Sequence, residues 1–146
     1  MTSSKLTAGT TFPTEFTCGG ADKSPPFAWG AGPSGTLSYA LVLHDMSVNY
    51  THWALWDIPP ANGMLAEALP KTGTIATPAG AKQTSSGYAG PCPPGNMVHT
   101  YVFTLYALDV ATLPGVTSST STANLVTAIQ THDLASATLT APSNGK

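Results

Sequence analysis

Turn-forming residues divide this chain more than any other feature does. Its 146 residues include 13 prolines and 14 glycines, many gathered in the clusters GAGPSG (30–35), IPPANG (58–63), TPAG (77–80) and SSGYAGPCPPG (85–95). Proline fixes φ and has no amide proton, and glycine takes up conformations that turns need, so regular elements stop at such clusters. What fits between them is a set of short strands.

Three runs read as strands. LSYALVLHD (37–45) is largely apolar on both faces, as a central strand covered on both sides would be. In THWALWDI (51–58), strict alternation puts His52, Ala54, Trp56 and Ile58 on one face and Trp53 and Leu55 on the other. In MVHTYVFTLYALD (97–109), His99, Tyr101, Phe103 and Leu105 share one face, opposite Val98, Val102 and Tyr106. One helix is expected near 122–132, with Thr122 as its N-cap and Leu125, Ala128, Ile129 and His132 along one stripe. Short strands, turn clusters and one late helix describe a mostly β sandwich, and the length suits a single domain over 1–146.

Charge narrows the function classes. Only 8% of residues are charged, where about a quarter is usual. The chain has no arginine, its cations being Lys5, Lys23, Lys71, Lys82 and Lys146, and its formal net charge is −2. Nucleic-acid binding needs clustered cations to displace counterions, so no nucleic-acid partner is expected, nor an arginine clamp on phosphate. No run approaches the roughly 18 to 20 apolar residues of a membrane span. The opening MTSSKLTAGTTF lacks an apolar signal core. A surface rich in Thr, Ser, Gly and Ala nevertheless suits an exported protein, periplasmic or extracellular, better than the cytoplasmic alternative.

Cys18 and Cys92 are too far apart for CxxC chemistry, and a zinc site would need histidine help. They are either two buried thiols or one bridge. Their turn-rich settings, FTCGGADKSPP and GPCPPG, favour the bridge, which would close a loop of about 75 residues and stabilise by about 4 kcal/mol.

Side chains able to do chemistry collect at strand ends beside stiff loops, where β scaffolds usually place sites. Asp45 ends the first run, His52 opens the second, and His99 opens the third with Tyr101 on the same face. His44 alternates away from Asp45, and His132 finishes the helix, where a cation suits the dipole; both read as structural. The serine of GPSG (32–35) lacks the spacing of a nucleophile elbow and precedes a strand instead of following one. His52 and His99 have only Asp45 and Tyr101 as further ligands, so neither a metal nor another cofactor is expected.

The segments FTCGGADKSPPFAW, GTLSYALVLHD, THWALWDIP, GYAGPCPPGNMVHTYVFTLYALD and AIQTHDLASATLTA, taken in that order, resemble the phosphatidylethanolamine-binding proteins. The likeness is to the bacterial, Raf-kinase-inhibitor-like branch and spans nearly the whole chain. It implies a large antiparallel sheet packed on a smaller one, with a short helix near the C-terminus. It also implies a small pocket for phosphate, acetate, sulfate or a phospholipid headgroup. In that pocket Asp45 matches the first aspartate of the family's D-P-D-A-P segment, His52 the histidine before the tryptophan, Gly90, Pro91 and Cys92 one wall, His99 the second histidine and Tyr101 the nearby tyrosine. The chain departs from the pattern at Met46-Ser47-Val48-Asn49, where the proline and second aspartate are gone, and at its LTAPSNGK end, which lacks a closing aromatic.

Three functions are open on this reading. The first is a binding module for a small anionic or phosphorylated ligand, without turnover. The second is an interaction or inhibitor protein acting through its surface on a protein partner. The third is an acid–base enzyme using Asp45, His52 and His99. The histidine pair is expected on neighbouring strands, facing one small cavity, with Asp45 raising the histidine pKa values.

Overall fold

The computed structural model describes every residue except Gly73, Asn96 and Ser118. Among the described residues, two antiparallel sheets, one α-helix and a short 3-10 turn at Thr14–Phe16 make up the fold. The small sheet pairs β1 (Phe27–Ala28) with β4 (Met64–Leu65), and Thr2 bridges to Ala28 beside it. The large sheet contains β2 (Ser38–Asp45), β3 (Tyr50–Ile58), β5 (Lys82–Gln83), β6 (His99–Leu108) and β7 (Asp133–Ser143), in the order β5-β3-β2-β6-β7. β2 is the middle strand, and seven of its eight residues are buried, as its two apolar faces require.

Each face of the large sheet has its own core. On one, Leu41, Leu43, Trp53, Leu55, Tyr101 and Phe103 pack against Phe12, Phe16, Phe27 and Leu65 from the N-terminal segments and the small sheet. On the other, Ala40, Val42, Ala54, Trp56 and Leu108 pack against α1 (Thr122–Thr131) through Leu125 and Ile129. The helix cap is Ser121, one residue before the expected Thr122; its side chain accepts the Asn124 N–H. His132 follows the helix and holds Asp109 through Nδ1 at 2.8 Å, a structural role. Among the described residues, no helix is long and apolar enough to cross a membrane.

Simple alternation fails along β3, which carries two bulges. Leu43 pairs with Trp53 but His44 pairs with Thr51, leaving His52 as an extra residue. Further on, Leu41 pairs with Leu55 but Tyr39 pairs with Ile58, and between them Asp57 takes a left-handed φ of 56°. Asp57 holds that bulge by accepting the Leu113 N–H at 2.9 Å and meeting Lys82 Nζ at 2.8 Å. As a result His52 lies on the face of Trp53 and Leu55, and Ile58 returns to it, while Ala54 and Trp56 face the helix. The expected grouping of His52 with Ala54, Trp56 and Ile58 is therefore wrong, because it allowed no extra residue.

Candidate functional site

Asp45 ends β2 on the face of Leu41 and Leu43, directly opposite Tyr101 of β6. Its side chain is buried, with Oδ2 2.7 Å from His99 Nδ1 and Oδ1 accepting the Ser47 N–H at 2.8 Å. The turn after Asp45 is tied to β6, since the Met46 N–H donates to the Thr100 carbonyl and the Thr100 N–H donates to Ser47 Oγ. Burial opposes ionisation of Asp45, but the hydrogen bonds from His99 and Ser47 outweigh it and hold the carboxyl below its usual pKa. An ionised Asp45 only accepts, so His99 Nδ1 carries the proton. His99 Nε2 is left buried and without a partner.

Tyr101 stands between the two histidines. Its ring lies 5.4 Å from His52, edge-on, and 6.3 Å from His99, stacked. Its hydroxyl is buried and makes no hydrogen bond of good geometry. Burial first, and then the negative charge of Asp45, push its pKa up, so the phenol stays protonated. His52 donates Nδ1–H to the Ala89 carbonyl at 3.2 Å, which leaves Nε2 of the neutral ring as an acceptor. Burial lowers the His52 pKa, and Asp45 and Ala89, which act the other way, do not overcome it. The expected rise at His52 is reversed for that reason. The two histidines are also not on neighbouring strands: β2, carrying Asp45, lies between β3 and β6. Their shared contact is Tyr101.

The Gly90–Cys92 segment is held from behind. Cys92 is bridged to Cys18, the Cys18 N–H donates to the Pro91 carbonyl, and the Gly90 N–H donates to Asp22 Oδ1 at 2.7 Å. Prolines 91, 93 and 94 have no amide proton and Gly90 has spent its own, so within 90–94 only the Cys92 amide remains, beside Tyr101. This wall offers shape and one donor, not a nest of N–H groups. A Cβ on Gly90 would lie 2.2 Å from the Phe16 carbonyl oxygen and 2.8 Å from Asp22 Oδ1. Gly90→Ala is expected to cost about 2 kcal/mol through this overpacking; an unchanged urea midpoint would contradict the packing.

Asp22, Ala89, Ser47 and Tyr50 join the site without having been singled out from sequence. Tyr50 sits edge-on to His52 at 5.0 Å. Asp22 takes a positive φ of 49° in the turn after Cys18, and that local strain is invisible in the string CGGAD. Among the described residues, no three metal-ligating side chains gather. At neutral pH the cluster presents one carboxylate, a phenol and a neutral His52.

Sequence comparison gives this arrangement a family. The profile described as phosphatidylethanolamine-binding protein matches residues 2–144. The chain belongs to that family. A Methanothermobacter thermautotrophicus relative, named a UPF0098 protein, is 37% identical over 87% of this chain and 86% of its own. Escherichia coli YbhB, also named a UPF0098 protein, is 32% identical over 84% of this chain and 82% of its own. Mycobacterium tuberculosis LppC, which carries the word lipoprotein in its name, is 40% identical over 70% of this chain but only 52% of its own. The fold is similar to the crystal structure of E. coli YbcL, described as a new member of the mammalian PEBP family. That match has a TM-score of 0.86 at 26% identity and covers 99% of this chain and 97% of the other. The antiparallel two-sheet architecture with a late helix is thus the family fold.

Proposed function

We propose that this phosphatidylethanolamine-binding family member binds a small anionic or phosphorylated ligand, without turnover, among Asp45, His52, His99 and Tyr101 against the Gly90-Pro91-Cys92 wall. One observation carries the reading. His99 Nε2 is buried without a hydrogen-bond partner, and the buried Tyr101 hydroxyl, on a ring stacked 6.3 Å away, makes no hydrogen bond of good geometry. Each such atom costs about 1–3 kcal/mol unless something meets it. A ligand oxygen between them would satisfy both, the phenol donating and Nε2 donating once protonated.

Sulfate, which does not titrate in the working range, is the cleaner probe. Calorimetry is expected to show tighter binding in acid than in base, because Nε2 of a ring whose Nδ1 already donates to Asp45 can donate to a sulfate oxygen only when the imidazole is protonated. His99→Ala should weaken binding by about 10- to 150-fold, the worth of one charge-assisted hydrogen bond. Affinity that is flat with pH and indifferent to His99→Ala would overturn the reading.

A second reading, docking of a protein partner, draws on a different feature. Met46, Val48, Tyr50, Met97 and Val98 are all more than half exposed. They occupy the two segments joined by the Met46–Thr100 and Ser47–Thr100 hydrogen bonds, where the family's acidic D-P-D-A-P segment is replaced. Export, periplasmic or extracellular, is part of the proposal. It is supported by the Cys18–Cys92 bridge, since disulfides persist in oxidising compartments, and by the lipoprotein name of LppC.

A further inference from the structure

The opposite face of the large sheet carries a feature that the two-histidine cluster does not use. Helix α1 covers only one end of that face. The uncovered end forms a groove of about 460 Å³ between α1 and strands β2, β3 and β6. It runs on, through Val102 and Thr104, into a shallower channel of about 600 Å³ across β6 and β7. We propose that this track binds a linear, neutral oligosaccharide.

The lining chemistry selects that class. No Asp, Glu, Lys or Arg lines either part, so neither an anion nor a cation would find a counter-charge. His44 is occupied, with Nδ1 3.0 Å from Thr51 Oγ1 and Nε2 3.1 Å from Asn49 Oδ1. The side chains of Thr104, Tyr106, Gln130, Thr138 and Thr140 line the track, and none of them hydrogen-bonds to another of the described residues. Hydroxyls and amides both donate and accept, as sugar hydroxyls do, and neutral groups are far cheaper than ions to take from water. The Tyr106 ring and the Val102 side chain add apolar surface for the C–H faces of a sugar ring. Thr104 pairs with Thr138, which sets two hydroxyl side chains about 4.8 Å apart across the strands, and Thr140 adds another two positions along β7, opposite Val102. A purely apolar ligand would leave these hydroxyls dry and unpaired. A single sugar would fill only part of the combined track.

Titration of the 15N-labelled protein with maltohexaose, cellohexaose and chitohexaose tests this. At least one is expected to give saturable shifts at Thr104, Tyr106 and Thr138 at millimolar concentration, more strongly than its monosaccharide. His99 should not move with them. Thr104→Val and Thr138→Val keep shape and β propensity, and each should weaken binding by about fivefold, the worth of one hydrogen bond. Three results would overturn the proposal: no saturable shift with any of the three, shifts confined to the His99 face, or binding indifferent to both valine variants. Sulfate binding at His99 is independent of all three.

Discussion

Asp45→Ala will lower stability by about 3 kcal/mol at pH 7, as expected when a buried carboxylate that accepts two hydrogen bonds is removed. The substitution leaves His99 Nδ1 and the Ser47 N–H facing a hole where an acceptor had been. Asp45→Asn should cost about half as much, because one amide oxygen can still accept from either donor. The sign of the pH dependence follows from the lowered Asp45 pKa. Its folded value lies below the ordinary 3.8, so the native state binds fewer protons than the unfolded chain between the two values. The contribution is fully present above about pH 4 and is lost as pH falls through the folded value. Urea unfolding of wild type and Asp45→Ala at neutral and acidic pH would show two curves far apart at pH 7 that converge in acid. A gap under about 1 kcal/mol at pH 7, or one that persists unchanged in acid, would contradict a buried, ionised Asp45.

Removing the Cys18–Cys92 bridge will cost about 4 kcal/mol in the chain-entropy model. The cysteines are 74 positions apart, so the bridge closes a long loop in the unfolded state and removes the entropy of leaving its ends free. Against a typical total of about 5–15 kcal/mol, this is a large fraction. The loss also bears on the site. Cys92 is the wall's covalent anchor, and the C-terminal segment packs against the same bridge, with Gly145 close to both Cys92 and Cys18 and its carbonyl accepting from Thr17 Oγ1. The double variant Cys18→Ala/Cys92→Ala, compared with the oxidised protein by urea unfolding, should therefore lose stability and bind sulfate more weakly. Titration of the unreduced, denatured protein should find no free thiol. Two reactive thiols per chain, or a double variant as stable as wild type, would contradict the bridge's role.

Much of the fold was legible because its long strands are strongly patterned. β2 and β6 lie where the apolar runs of 37–45 and 97–109 put them, and α1 covers most of 122–132. β7 went unread. Its string, DLASATLTAPS, is small and weakly apolar, and it becomes a strand by pairing along the length of β6. The two-residue strands β1, β4 and β5 are likewise products of contact, too short to leave a periodic signal.

The site divides along the same line. Residue type and strand position were enough to bring Asp45, His52, His99 and Tyr101 forward, because polar side chains at the ends of apolar runs stand out from their neighbours. The sequence by itself also determined the scarcity of charge, the absence of an arginine clamp and the stiffness of the proline-studded wall, all fixed by composition. Tertiary structure decided which face His52 takes, since the extra residue of a bulge is visible only against the register of the partner strand. It placed β2 between the two histidines and so made Tyr101 their common contact. It spent the Gly90 amide on Asp22 across 68 positions of chain. It also turned the expected His52 shift downward, because desolvation depends on what the folded chain stacks around a ring, and that is not written in the residues beside it.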